Sequence, residues 1–163
     1  FNQFSNSPKV NKLINYAKNN YYTVTQTGRK VPRYVQGKRT YCYRGVKKYL
    51  IESGLVSANF GAGSRHAYMA KDDLKKEGFK NLLDNPSLSV LLRNPDMAPK
   101  GAVMVYRSND GKSESGHVEI KTEHSGKGGY VSIDESRYAA FGMTTPRNGG
   151  KPRRVLIGVM VKS

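Results

Sequence analysis

The sequence is poor in the residues that build disulfide frameworks and metal sites. It has one cysteine, Cys42, and three histidines in 163 residues, which excludes an internal disulfide and a Cys-rich zinc site. It also lacks a Gly-rich phosphate loop with a lysine and a His-Glu-x-x-His helix, so we expect no cofactor and no metal. The length suits one ordinary domain.

Long apolar runs are absent as well. The longest apolar stretch of note, Val155 to Val161, is interrupted by Gly158 and is far shorter than a bilayer-spanning helix requires. We therefore expect no membrane insertion.

Acidic residues are scarce, and this makes the chain strongly basic. Twelve Asp and Glu face 28 Lys and Arg, which gives a net charge of +16. Residues 1–60 hold 11 of the basic residues and a single acid, Glu52. Such a field steers a protein toward polyanions, among them nucleic acid, anionic lipid and an anionic cell envelope.

The hydrophobic pattern changes from helical to alternating along the chain. It predicts helices from Pro8 with Ser7 as N-cap, from Tyr41 or Cys42 to Gly54, over residues 65–77, and after Asn85-Pro86. It predicts strands at 102–106, 117–121, 130–133 and 153–162, whereas 21–39 is expected to be a loop with some extended structure.

This order predicts an α+β fold in which N-terminal helices pack on a C-terminal antiparallel β-sheet. Within a single domain, 1–163, we distinguish a basic helix and loop (1–40), a helical part (41–97) and a sheet part (98–163).

Cys42 is expected at the start of an amphipathic helix. A helix N-terminus favours a thiolate, and Arg39, Arg44, Lys47 and Lys48 lie nearby in the sequence. A nucleophilic cysteine also needs a base, which in turn needs an orienting group. Taken singly, a lone cysteine is more often an inert buried residue.

His117 is the best-placed candidate for that base. It opens a predicted strand after Gly116, whereas His66 begins a predicted helix after a flexible loop and His124 lies in a Gly-rich turn. The strand alternation places Glu119 on the same face as His117.

Together these motifs resemble the NlpC/P60 and CHAP branch of the papain-like cysteine peptidases. The resemblance covers residues 41–133. It rests on a cysteine heading a helix, followed by Pro-Lys-Gly-Ala-Val-Met-Val-Tyr (99–106), Gly-His-Val-Glu-Ile (116–120) and Gly-Gly-Tyr-Val-Ser (128–132). It implies a papain-like architecture with a catalytic Cys–His pair.

Carried onto this chain, the resemblance makes Cys42 the nucleophile and His117 the general base. These families place a third polar residue on the next strand, which favours Asp134 as the orienting acid. Glu135 and Glu119 remain alternatives, and Glu119 could also contact substrate.

Tyr41 and Tyr43 flank the cysteine. They are candidates for substrate contact or for positioning a second oxyanion donor, beside the Cys42 backbone N–H at the helix start. Packing is the alternative role for both tyrosines.

The resemblance further implies a cysteine peptidase or amidase that hydrolyses amide bonds of bacterial peptidoglycan peptides. Its roles would be wall remodelling, phage lysis or antibacterial killing. It would act outside the cytoplasm, secreted or in the periplasm at the anionic cell envelope, delivered in some cases by a phage or a secretion system. A toxin of this kind would have a cognate immunity or inhibitor protein as partner.

Two other functions remain open. Gly28 to Lys48 holds eight basic residues and no acid, with tyrosines interleaved, a composition that suits nucleic-acid binding. The same Cys–His chemistry would also serve a deamidase acting on protein glutamines.

Overall fold

The computed structural model describes residues 2–109, 115–140 and 154–162. Five α-helices in these ranges are α1 Asn2–Ser5, α2 Pro8–Asn20, α3 Cys42–Ser53, α4 Ala70–Lys76 and α5 Pro86–Leu91. The strands are β1 Tyr22–Val24, β2 Lys30–Pro32, β3 Val35–Gln36, β4 Arg39–Thr40, β5 Lys80–Asn81, β6 Val103–Ser108, β7 His117–Lys121, β8 Tyr130–Val131, β9 Glu135–Ser136 and β10 Arg154–Val161.

The main sheet has six strands in the order β5-β10-β6-β7-β8-β9, and every neighbouring pair is antiparallel. Helices precede most of this sheet along the chain. The predicted α+β class with an antiparallel sheet is therefore confirmed. Residues 21–39, expected as a loop with some extended structure, contribute short strands to two small hairpins, β1–β2 and β3–β4.

Two of the helices that pack against the sheet, α2 and α3, have boundaries that the sequence indicates. α2 begins at Pro8, whose missing N–H costs nothing at a first helical position. α3 ends at Gly54, which adopts a left-handed conformation with φ of 79°. The predicted helix over 65–77 is shorter, because a 3-10 turn at Ala67–Met69 precedes α4.

The core has two parts, one on each face of the sheet. One unites α2 and α3 with inward residues of β6, β7 and β8, including Leu13, Val46, Tyr49, Val105 and Ile120. The other covers the opposite face and includes Met104, Tyr106, Tyr130, Ala140 and Val159. Alternation along β6 and β7 divides their side chains between the two faces.

β8 pairs with only the second half of β7. Tyr130 pairs with Lys121 and Val131 with Ile120, and the chain then reverses into β9. The reversal is closed by a hydrogen bond from the Ser132 N–H to the Asp134 carbonyl at 3.0 Å. The first half of β7 consequently has β6, but not β8, as a ladder partner.

Among the described residues, none of the helices combines the length and the apolar character that a membrane span requires.

A buried tyrosine ties α3 to the sheet. The Tyr49 hydroxyl, on a fully buried side chain, donates to the Ser132 carbonyl at 2.7 Å.

Tyr49→Phe should lower the free energy of unfolding by about 1–2 kcal/mol, because a buried carbonyl loses its donor. Urea denaturation measures this change. Tyr138→Phe, at a side chain that is 70% exposed, is the control and should leave stability unchanged; equal stability of both variants would contradict the prediction.

Candidate active site

Cys42 is the first residue of α3 and lies in an open cleft. The cleft has a volume of about 340 Å³. We call it the basic cleft; its lining residues are Thr40, Tyr41, Cys42, Tyr43, Arg44, Lys47, Ser64, Arg65, Ala67 and Ser115. Cys42 as a whole is half-buried and is one of the residues that line this cleft.

Three groups hold the Cys42 sulfur in hydrogen bonds: the His117 side chain, the Val118 backbone N–H and the Tyr43 backbone N–H. Burial raises the pKa of the thiol, but these bonds and the His117 charge outweigh it and leave the pKa below its ordinary value. The neighbouring cations suggested by the sequence are not among these causes. Lys48, for example, forms an ion pair with Glu52.

His117 is the first residue of β7 and its side chain is only 16% exposed. Gly116 before it has a φ of 81°, and a Cβ there would overlap the Tyr106 carbonyl oxygen. A glycine is therefore required for the chain to enter β7 at this angle.

The imidazole connects the thiol to an acid. Its Nε2 lies 3.2 Å from Glu119 Oε1, and the same ring hydrogen-bonds the Cys42 side chain. Burial lowers the pKa of His117, but hydrogen bonds to Cys42 and Glu119, with the charges of both, raise it to about 9. A thiol with a lowered pKa beside an imidazole with a raised one favours a thiolate–imidazolium pair.

Glu119 is buried, and both of its carboxylate oxygens have polar partners. Its second oxygen, Oε2, accepts the Tyr106 hydroxyl at 2.7 Å and the Ala140 backbone N–H at 3.1 Å. Sequence reasoning missed Tyr106. The feature that identifies Tyr106 is the register of β6 and β7. Tyr106 pairs with His117 in this register, and the Tyr106 hydroxyl comes within reach of Glu119.

Asp134, favoured from the sequence as the orienting acid, does not occupy that position. Antiparallel pairing continued from Tyr130–Lys121 would bring Asp134 opposite His117. The chain reverses at Ser132–Asp134 instead, and the Asp134 side chain is exposed. Glu135 also turns outward into β9. Of the three acids considered from the sequence, Glu119 is therefore the one that contacts His117.

The other two histidines have different environments. His66 Nδ1 lies 2.7 Å from the Ser115 hydroxyl, and its ring stacks on Tyr68 with centroids 5.4 Å apart. His124 is exposed. Of the three histidines, His117 is the one that contacts the thiol.

The two tyrosines flanking Cys42 play different parts. Tyr43 is buried, packs edge-on against Phe60, and donates its hydroxyl to Asp73 at 2.5 Å. Its side chain is therefore a packing element. Tyr41 is only half-buried, lines the basic cleft, and carries the Arg44 guanidinium 4.4 Å above its ring.

In the part of the chain that the structure describes, no group of three or more His, Cys, Asp or Glu side chains is arranged as metal ligands.

Comparison of the chain with protein-family models, with curated proteins and with solved structures found no match.

Cys42 should react as a thiolate. Because its pKa is lowered, the thiolate fraction persists toward acid pH, and iodoacetamide should alkylate Cys42 at about pH 6.5 faster than it alkylates an unstructured peptide thiol. Mass spectrometry over a pH series measures the rate. His117→Ala should slow alkylation at that pH, since it removes the principal hydrogen bond to the sulfur. Equal rates for wild type and peptide would exclude an activated thiol.

The roles of Glu119 and Asp134 can be distinguished by the effect of each residue on the pKa of the His117 imidazole. Glu119→Gln removes the carboxylate charge, so the pKa of His117 should fall from about 9 toward its ordinary value. Asp134→Asn is the matched control and should leave it unchanged. NMR titration of the His117 ring in each variant measures both. A fall in Asp134→Asn alone would restore the assignment made from the sequence.

Proposed function

We propose that this protein is a cysteine peptidase or amidase, with Cys42 as nucleophile, His117 as general acid and base, and Glu119 as the orienting acid. The observation that carries the proposal is the hydrogen-bonded chain from Cys42 through His117 to Glu119, anchored beyond Glu119 by Tyr106 and Ala140. A nucleophile, a base and a third group that fixes the base are what covalent acyl transfer requires.

The first half-reaction forms a thioester. The Cys42 thiolate attacks the amide carbonyl carbon, a C–S bond forms, and the carbonyl π electrons move to oxygen. As the first residue of α3, Cys42 has a backbone N–H without an intrahelical acceptor, which suits it to stabilise that oxyanion. The C–N bond then breaks, and the amine leaves with the proton that His117 donates.

Water completes the reaction. Neutral His117 accepts a proton from water as the water oxygen attacks the thioester carbonyl. The C–S bond breaks and the electron pair returns to the sulfur, which releases a carboxylic acid. Glu119 stabilises the imidazolium in each half-reaction and, at 3.2 Å from Nε2, orients the ring toward the thiol.

The arrangement of the elements supports a papain-like architecture. The nucleophile heads α3, which packs against β7, and β7 begins with the base. The acid differs from the usual pattern of the NlpC/P60 and CHAP families, because Glu119 lies on the same strand as His117 rather than on the next one.

Peptidoglycan peptides are the substrate we propose. Two features support them: the resemblance of the strand motifs to wall hydrolases, and a net charge of +16 that draws the protein to an anionic envelope. The corresponding location is the cell envelope, and a cognate inhibitor protein is the partner expected if the enzyme acts as a toxin.

Purified peptidoglycan fragments test this function. Incubation with wild-type protein should produce a new amine and a new carboxylate, detected by mass spectrometry as fragments whose masses sum to the parent plus one water. Cys42→Ala should give no product, since the thioester cannot form. Asp134→Asn is the active control, because its side chain is exposed and apart from the Cys42–His117–Glu119 chain.

Failure to cut fragments from several bacterial types would exclude the peptidoglycan assignment. If Cys42 nevertheless reacts as a thiolate, protein glutamines become the next substrate, with ammonia release as the readout. Retention on DNA or RNA at physiological salt, without amide cleavage, would favour the nucleic-acid alternative.

A further inference from the structure

Within the part of the chain that the structure describes, the charged side chains that line the basic cleft are all cationic. They are Arg44, Lys47 and Arg65, and the polar side chains beside them belong to Thr40, Ser64 and Ser115. Among the described residues that line the cleft there is no Asp or Glu. A concave surface with charges of one sign concentrates its field on whatever enters.

These cations lie on two walls of the basic cleft. Arg44 and Lys47 stand on the first turns of α3, directly after Cys42, and Arg65 stands on the loop before the 3-10 turn. Lys47 Nζ donates to the Ser64 carbonyl at 2.7 Å and so connects the two walls. The nucleophile therefore lies in the same cleft as positive charge from both sides.

Local contacts hold the cations in place, and none of these contacts within the described residues is a direct ion pair. Arg44 stacks on the Tyr41 ring and Lys47 lies 4.4 Å from the Tyr43 ring centroid. The ion pairs within 4 Å in the described ranges are Lys48–Glu52 and His117–Glu119, which leave these three cations out. Asp73, whose charge reaches Lys47, already accepts the Tyr43 hydroxyl.

The cations are also not used to activate the thiol. The groups that lower the pKa of Cys42 are His117 and the backbone N–H groups of Val118 and Tyr43. The positive charge of the basic cleft is thus available for a ligand.

We propose that the basic cleft binds a free carboxylate of the substrate, adjacent to the amide carbonyl that Cys42 attacks. This rests on the proposed amidase function and specifies its substrate class: a peptide that is anionic beside the scissile bond. Arg44 and Arg65 are the specificity residues, because a planar guanidinium binds carboxylate through two parallel hydrogen bonds.

A matched pair of stem peptides tests the proposal, one with free carboxylates and one with the same groups as carboxamides. Wild type should cleave the free form with a kcat/KM roughly tenfold or more higher, the effect expected of one charge-assisted hydrogen bond. Arg44→Gln and Arg65→Gln should each reduce this preference, through kcat/KM on the free form and with little change on the carboxamide.

Arg93→Gln is the matched control. Arg93 is exposed and lines a separate cavity with Leu83 and Pro95, so its variant should keep the wild-type preference. Calorimetry on the Cys42→Ala protein gives a second readout, in which the free peptide should bind more tightly than the carboxamide.

The possible outcomes distinguish the carboxylate-binding proposal from the amidase function on which it rests. Equal cleavage of both peptides by wild type would overturn carboxylate recognition and leave the amidase function standing. A preference that persists undiminished in both arginine variants would overturn the assignment to this cleft. Cleavage of neither peptide, nor of peptidoglycan fragments, would remove the amidase function and the carboxylate proposal with it.

Discussion

The candidate site depends on the unpaired first half of β7. Because the β8–β9 turn reverses the chain after Val131, Val118 has no strand on that side, yet it is fully buried. Buried backbone groups need partners. The Val118 N–H bonds to the Cys42 sulfur and its carbonyl accepts the Ser132 hydroxyl at 2.7 Å. The start of α3 thus takes the place of a strand, and this brings the thiol to His117.

A buried carboxylate is the second constraint. Glu119 is 4% exposed, and an isolated charge at such a depth would be strongly unfavourable. Hydrogen-bond donors to both carboxylate oxygens offset the cost of burying this charge. The Tyr106 hydroxyl and the Ala140 N–H donate to one oxygen, and protonated His117 donates to the other. The network is therefore mutually dependent, since the carboxylate favours the imidazolium and the imidazolium favours the thiolate.

Much of this arrangement could be predicted from local sequence. Helical spacing with Pro8 and Gly54 located α2 and α3, and alternation located β7 with His117 and Glu119 on one face. The acid could not be assigned in the same way. Asp134 has the parity and the register to meet His117 if β8 continues, and whether a strand continues or turns after two residues depends on tertiary pairing. The turn at Ser132–Asp134 is such a case.

The charge of the chain acts at two distances. Over the surface, an excess of basic residues attracts anionic polymers, but salt screens that attraction beyond about 8–10 Å. Within the basic cleft, Arg44, Lys47 and Arg65 lie along the same walls as Cys42, within the distance over which salt leaves their charge effective. The Cys42–His117 pair is neutral overall, whether thiol–imidazole or thiolate–imidazolium, so it does not cancel the charge of these cations. Under the function proposed above, the long-range field favours encounter with the envelope, and the short-range charge selects the peptide that is bound there.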